Sequence, residues 1–288
     1  MQTRSLDVTA ARITFDVRGP LPTTGGRPPL LMIGQPMDAS GFATLASLFP
    51  DRTVVTYDPR GLGRSTRSDG RRDNDPEVQA EDLHVLVAHL GAGPVDVFAS
   101  SGGAVTGLAW VTRYPDDVHT LVAHEPPVIP MLPDAEAASA AEWAVRDAYQ
   151  AGGWGAGMAR FIAMASWQGE FPPDFATGPG PDPAAFGLPT QDDGSRDDPL
   201  LSGASYAVSH YRPDVDTLAR LPRVFMAVGK ESSGTLTART TEALAVALGR
   251  SPVVFPSHHG GFLGDGFGQR GEPEAFAATL CEVLDAQQ

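Results

Sequence analysis

The chain has 288 residues, 42% hydrophobic and 19% charged, which is enough to bury a full core and suits one large α/β domain or such a domain carrying an insertion. Its formal net charge of −14 repels phosphates and anionic headgroups, so the expected partner is a small molecule rather than nucleic acid or a membrane surface. A single cysteine, Cys281, leaves no disulfide framework or thiolate metal site, and no apolar run reads as a signal or a membrane span; a cytoplasmic protein without metal or cofactor is expected, its oligomeric state open.

Leu6 to Arg18 alternates through Ile13, Phe15 and Val17, as one or two strands of an antiparallel edge do. After a Pro/Gly-rich turn, Leu30 to Ile33 reads as a buried strand ending in Gly34-Gln35-Pro36, and Phe42 to Phe49 as a short helix. Thr53 to Tyr57 is the next strand, followed by a loop of turn formers from Asp58 to Ser65. Pro76 opens a helix through Leu90, with Glu77, Glu81 and Asp82 in its first turns and Gly91 just past its end; His84 and His89 are read as residues of its faces. An apolar run with Val95, Val97 and Phe98 leads into Ala99-Ser100-Ser101-Gly102-Gly103, a helix pattern from Ala104 to Tyr114 leaves it, and Val118 to Ala123 is again a strand. This order predicts an α/β protein with a mostly parallel central sheet flanked by helices.

The alternation stops at Pro126-Pro127. Residues 126–213 are expected to form a helical lid inserted into a core of residues 1–125 and 214–288, with helical patterns at Ala135 to Ala151 and Gly155 to Trp167 and a Pro, Gly and Asp-rich tail from Phe171 to Pro199. Trp143, Trp154, Met158 and Trp167 are candidate substrate-binding residues, since an aromatic insertion suits a lid over an apolar cleft; a plain packed lid core explains them equally well. Strand and helix patterns resume at Arg223 to Val228, Thr235 to Leu248, Pro252 to Phe255 and Pro273 to Ala286, with Cys281 a packed thiol in the last.

Ser101 lies between a strand and a helix in a G-x-S-x-G pattern with Ala99 in the first glycine position. At the tip of a sharp turn its hydroxyl would stand proud of the sheet edge, and small neighbours would be needed to avoid clashes. Ser-Ser-Gly-Gly also suits a surface loop, a reading opposed by the buried-looking patterns on both sides. A serine nucleophile needs a base and a carboxylate to hold that base in the right tautomer. His259, on the glycine-rich loop just past the last strand, is the favoured base; His258 competes, and a loop histidine facing solvent is the plain alternative. Glu125 and Glu231 both follow strands whose ends abut the site edge. Glu125 is favoured because two prolines fix the chain beyond it, whereas Glu231 adjoins Lys230 and a Ser-Ser-Gly run that looks solvated. Backbone donors for an oxyanion are expected from Gly102 and from Gln35, with Gly34 as fallback; Pro36 has no N–H.

These residues together resemble the α/β-hydrolase superfamily: Asp58-Pro59-Arg60-Gly61-Leu62-Gly63-Arg64-Ser65 is similar to its D-x-R-G-x-G-x-S loop, the Ser101 turn to its nucleophile elbow and His259 to its late histidine. The resemblance covers nearly the whole chain except the lid. Two departures stand out. Ile33-Gly34 replaces the usual His-Gly before the oxyanion residue, and Ser232 occupies the usual acidic position of G-x-x-D. The second strengthens Glu125, because some members carry the acid one strand earlier. Among them, the fungal lactonases that open the zearalenone ring are locally similar in a Ser-Ser-Gly elbow and a later His-Glu-x-Pro. The resemblance implies a cofactor-free serine hydrolase, an esterase or lactonase acting on a small, largely apolar molecule. A peptidase of the proline-iminopeptidase type shares the Asp-Pro-Arg-Gly loop but would need a pair of lid carboxylates, and none is assigned from the sequence. A non-hydrolytic pocket protein or cyclase on the same fold is the remaining alternative.

Overall fold

The computed structural model describes residues 1–23, 26–265 and 270–286. The chain begins with an antiparallel hairpin of β1 (Gln2–Val8) and β2 (Ala11–Arg18). It continues through β3 (Leu30–Ile33), α1 (Ala43–Ser47), β4 (Val54–Tyr57), β5 (Thr66–Arg67) and α2 (Pro76–Leu90). Next come β6 (Val95–Ser100), α3 (Gly102–Arg113), β7 (Val118–His124) and the long α4 (Ala135–Ala165). Short α5 (Tyr206–Ser209) and α6 (Val215–Ala219) lead back to β8 (Val224–Gly229), α7 (Leu236–Ala247), β9 (Val253–Phe255) and α8 (Pro273–Asp285).

The strands form one nine-stranded sheet in the order β1-β2-β4-β3-β6-β7-β8-β9, with β5 against β2. Pairings from β4 to β9 are parallel, and those made by β2 are antiparallel. Side chains alternate between the two faces, so Leu31, Ile33, Val97 and Ala99 join the core under α2, α3 and α7, whereas Leu30, Met32 and Phe98 join the one under α1 and α8. Strands buried on both faces read as continuous apolar runs, which is why β3 was legible as Leu-Leu-Met-Ile. The bounds of α2 follow from local chemistry: Asp75 accepts from the Glu77 N–H, Pro76 sits in the first turn, and Gly91 closes the helix at φ 61°.

The loop from Asp58 to Ser65 is a brace. Asp58 accepts from the N–H groups of Ala39 and Arg64, Arg64 reaches across to Asp16 on β2, and Arg60 forms a two-pronged pair with Asp82 on α2. Between β7 and β8 the chain leaves the sheet. The two helical patterns expected there are one helical run broken at Gly153 (φ 79°), where a Cβ would lie 2.4 Å from Asp192 of the following tail. The edge strand β5, too short to show alternation, was not expected; the short helix expected from Phe42 to Phe49 is α1, entered through a 3-10 turn at Ala39–Phe42. Among the described residues no helix is long and apolar enough to cross a membrane.

Candidate active site

The backbone between β6 and α3 reverses within one residue, Ser101, at φ 56° and ψ −128°. Such a conformation costs a residue with a Cβ on the order of 1–3 kcal/mol and persists only where neighbours enforce it. The Ser101 N–H donates to the His124 carbonyl at 2.9 Å, and α3 starts at the next residue. A Cβ on Gly102 would lie 2.8 Å from the Gln35 carbonyl, and one on Gly103 2.5 Å from the Ile33 carbonyl. The start of α3 therefore presses on the segment after β3, an approach that glycine permits. This brings the first-turn N–H of Gly102, which has no partner within the helix, beside Gly34 and Gln35. Ser100 points elsewhere: it is buried, with its Oγ 3.2 Å from His124 Nδ1.

Glu125 follows β7 at φ 51° and is fully buried. Its Oε1 accepts from the Gly229 N–H at 2.9 Å, and its Oε2 accepts from the Thr237 hydroxyl at 2.7 Å and lies 2.6 Å from His259 Nδ1. Burial works to raise this carboxyl's pKa, but the hydrogen bond from His259 and the attraction of that ring when protonated hold it well below the usual range. An ionised Oε2 keeps the proton on Nδ1 and leaves Nε2 as the basic nitrogen. His259 is partly exposed and lines a cavity of about 500 Å³ together with Ser101, Gly102 and Gln35. Among the described residues no hydrogen bond joins Ser101 Oγ to the ring, a contact that commonly tightens only with substrate bound.

The competing candidates are placed differently. Both ring nitrogens of His258 serve its own loop, Nδ1 accepting from the Gly260 N–H at 3.0 Å and Nε2 donating to the Arg270 carbonyl at 3.3 Å. Glu231 is exposed on the cavity wall and has no hydrogen bond to His259 among the described residues. The expected aromatic lining needs correction, since Trp143, Trp154, Met158 and Trp167 are absent from the cavity wall. Trp143 stacks outward under Arg146, Trp154 donates to Asp198, Met158 packs against the cluster of Tyr149, Met164 and Leu201, and Trp167 packs on Phe171 and Phe175. The apolar wall comes instead from Phe161, Ile162 and Met164 of α4, with Leu200 and Val208. A helical stripe in the sequence shows which residues are apolar, not which of two buried faces meets the cavity.

Three residues at the site went unassigned in the sequence. His124 is fully buried among Phe98, Phe255, Phe262 and Phe276, and its ring lies 5.9 Å from that of His259. Burial pushes its pKa down to about 4, so it is neutral at pH 7. Thr237 braces Glu125 from α7. Glu142 of α4 lines the cavity, and nothing in the sequence sets it apart from Glu136 and Asp147 on the same helix. Among the described residues no cluster of His, Cys, Asp and Glu is arranged to hold a metal ion.

Strand order, elbow and late histidine define an α/β-hydrolase fold, and residues 28–163 match the family described as alpha/beta hydrolase fold. The chain thus has the α/β-hydrolase fold, and the family match lies within its first 163 residues. Over 129 residues, 44% of its length, it is 37% identical to the uncharacterized hydrolase YraK of Bacillus subtilis (strain 168), a match spanning 46%, about half, of that protein. Its structure is similar to that of a malate-bound thermophilic esterase from Thermogutta terrifontis, with TM-score 0.66 and 24% identity over 100% of this chain and 99% of that one. It is also similar to a mutant of the N-acyl homoserine lactonase AidH complexed with N-hexanoyl homoserine lactone, with TM-score 0.63 and 18% identity over 100% and 99% of the two chains.

Proposed function

We propose that this protein is a serine hydrolase that cleaves an ester or lactone of a small, largely apolar molecule through an acyl-enzyme. The observation that carries the reading is the strained Ser101 opening on the same cavity as His259, whose Nδ1 lies 2.6 Å from the buried Glu125 carboxylate. Ser101 Oγ attacks the carbonyl carbon while His259 Nε2 takes its proton, and the N–H groups of Gln35 and Gly102 meet the negative charge on the carbonyl oxygen. Collapse breaks the bond to the alcohol oxygen, which leaves with the proton from His259. Water, deprotonated by the same nitrogen, then releases the acid. In a lactone the alcohol stays tethered to the acyl group and the product is a hydroxy acid. The lactone branch draws support from the local likeness of the Ser100-Ser101-Gly102 elbow and the His124-Glu125 pair to ring-opening lactonases.

The peptidase alternative called for a carboxylate pair in the lid. One lid carboxylate, Glu142, lines the cavity. Aspartate-nucleophile chemistry is disfavoured by a serine at the elbow. The test is labelling by a fluorophosphonate, read by intact mass. The wild-type chain should gain one adduct, Ser101→Ala none, and Ser100→Ala should still react. A wild-type chain that stays unlabelled, or a labelled Ser101→Ala, overturns the proposal.

A further inference from the structure

We infer that the lid end of the cavity is a polar subsite, built on Glu142 with Ser209 and Ser205, that binds a hydroxyl carried by the substrate away from the scissile bond. The inference rests on the proposed ester or lactone cleavage and narrows its substrate class. Glu142, Ser205 and Ser209 line the same cavity as Ser101, alongside the apolar Phe161, Met164, Leu200 and Val208. The Glu142 side chain is only 12% exposed and receives one hydroxyl, Ser209 Oγ, at 2.7 Å and 2.9 Å from its two oxygens. A carboxyl group has about four acceptor positions, so one hydroxyl leaves lone pairs free for a donor brought into the cavity by a ligand.

The surroundings favour a neutral ligand group. His210 Nδ1 is 3.5 Å from Glu142 Oε2, but its Nε2 is engaged with Ser139 Oγ at 3.0 Å. Arg146, one turn along α4, pairs with Asp147 and lies over the Trp143 ring. Tyr206 gives its hydroxyl to the Glu142 backbone carbonyl at 3.3 Å. With no guanidinium or ammonium bonded to it, burial raises the Glu142 carboxyl to about 7. Near neutral pH it is shared between acid and carboxylate and can both give and take a hydrogen bond. A hydroxyl has that same double character.

The experiment uses chromogenic esters whose straight acyl chains, from butanoyl to octanoyl, end in methyl, hydroxyl or ammonium. It compares kcat/KM in wild type, Glu142→Gln and Glu142→Leu. At the chain length that reaches the lid, wild type should prefer hydroxyl over methyl by about tenfold, the worth of one good buried hydrogen bond. Glu142→Gln should retain part of that ratio and Glu142→Leu should bring it to one or below. Equal rates for both ends at every length in wild type, a preference for the ammonium chain, or an unchanged ratio in a folded Glu142→Leu would each overturn the inference. Calorimetric binding of the same esters to Ser101→Ala protein separates the two levels. Discrimination there without turnover in wild type would retire the hydrolase reading and keep the subsite, whereas turnover without discrimination would do the reverse.

Discussion

Replacing Glu125 by Gln tests the proposal that this carboxylate holds His259 as the base. The shape is kept, and the amide oxygen can still accept from the Gly229 N–H, as Oε1 does at 2.9 Å. The amide nitrogen then falls where Oε2 now lies, 2.7 Å from the Thr237 hydroxyl and 2.6 Å from His259 Nδ1. An NH2 group there donates to Nδ1, so the ring proton moves to Nε2 and the nitrogen facing the cavity is no longer basic. The charge that steadies the imidazolium goes as well. The analogous change in a protease triad costs about 10⁴ in kcat, or about 5.4 kcal/mol of transition-state stabilisation. Wild type and variant would be compared on one activated ester, with kcat/KM measured across pH and folding followed by circular dichroism. Glu231→Gln, on an exposed carboxylate without a bond to the base, should stay within about threefold of wild type, as expected of a screened charge. A folded Glu125→Gln within tenfold of wild type, or a crippled Glu231→Gln, would refute the assignment.

Two other perturbations probe the supports. Gly103→Ala puts a Cβ 2.5 Å from the Ile33 carbonyl and should cost about 1–3 kcal/mol of stability through backbone overpacking, seen as a lower melting temperature; an unchanged melt would refute the close approach. Glu142→Gln should change how stability depends on pH. Because burial raises the carboxyl from its ordinary 4.5 to about 7, the folded chain keeps a proton that the unfolded chain has released, so wild type loses up to about 3 kcal/mol as pH rises through that window. The variant should lose correspondingly less between pH 4.5 and 7 in urea titrations, and parallel losses would refute the burial argument.

What the sequence disclosed and what it withheld follow from the range of the interactions. The ends of α2 are fixed by Asp75, Pro76 and Gly91, all local, and the bounds expected for the helix agree with those observed. The strands β3 and β6 are buried on both faces, so their apolar runs were unambiguous. The elbow was legible because strain at Ser101 demands small neighbours in the adjacent sequence. The cavity wall depends on how α4 lies over the sheet after its break at Gly153, which is set by the tail around Asp192 and Pro189. No local pattern encodes that rotation, and the outward turn of Trp143 is its result. His124 was hidden for another reason. A histidine at a strand end reads as polar, and only the four phenylalanines around it make its ring part of the core.

The proposed placement of the acid at Glu125 joins one departure from a common pattern to another. A carboxylate at the end of β7 is buried, and buried charge is tolerated only when its lone pairs are met. Two of the donors to Glu125 come from the next strand and the helix after it: the N–H of Gly229, the last residue of β8, and the Thr237 hydroxyl in the first turn of α7. Ser232 is buried in the loop between them, and its hydroxyl has no hydrogen-bond partner among the described residues. An aspartate at 232, where the resemblance would have put the acid, would place a second negative charge near the buried Glu125. Two carboxylates so close cannot both ionise, and one would be driven neutral. The serine at 232 and the glutamate at 125 are thus a matched pair: the segment that would otherwise carry the carboxylate supplies the hydrogen bonds that keep it charged one strand away.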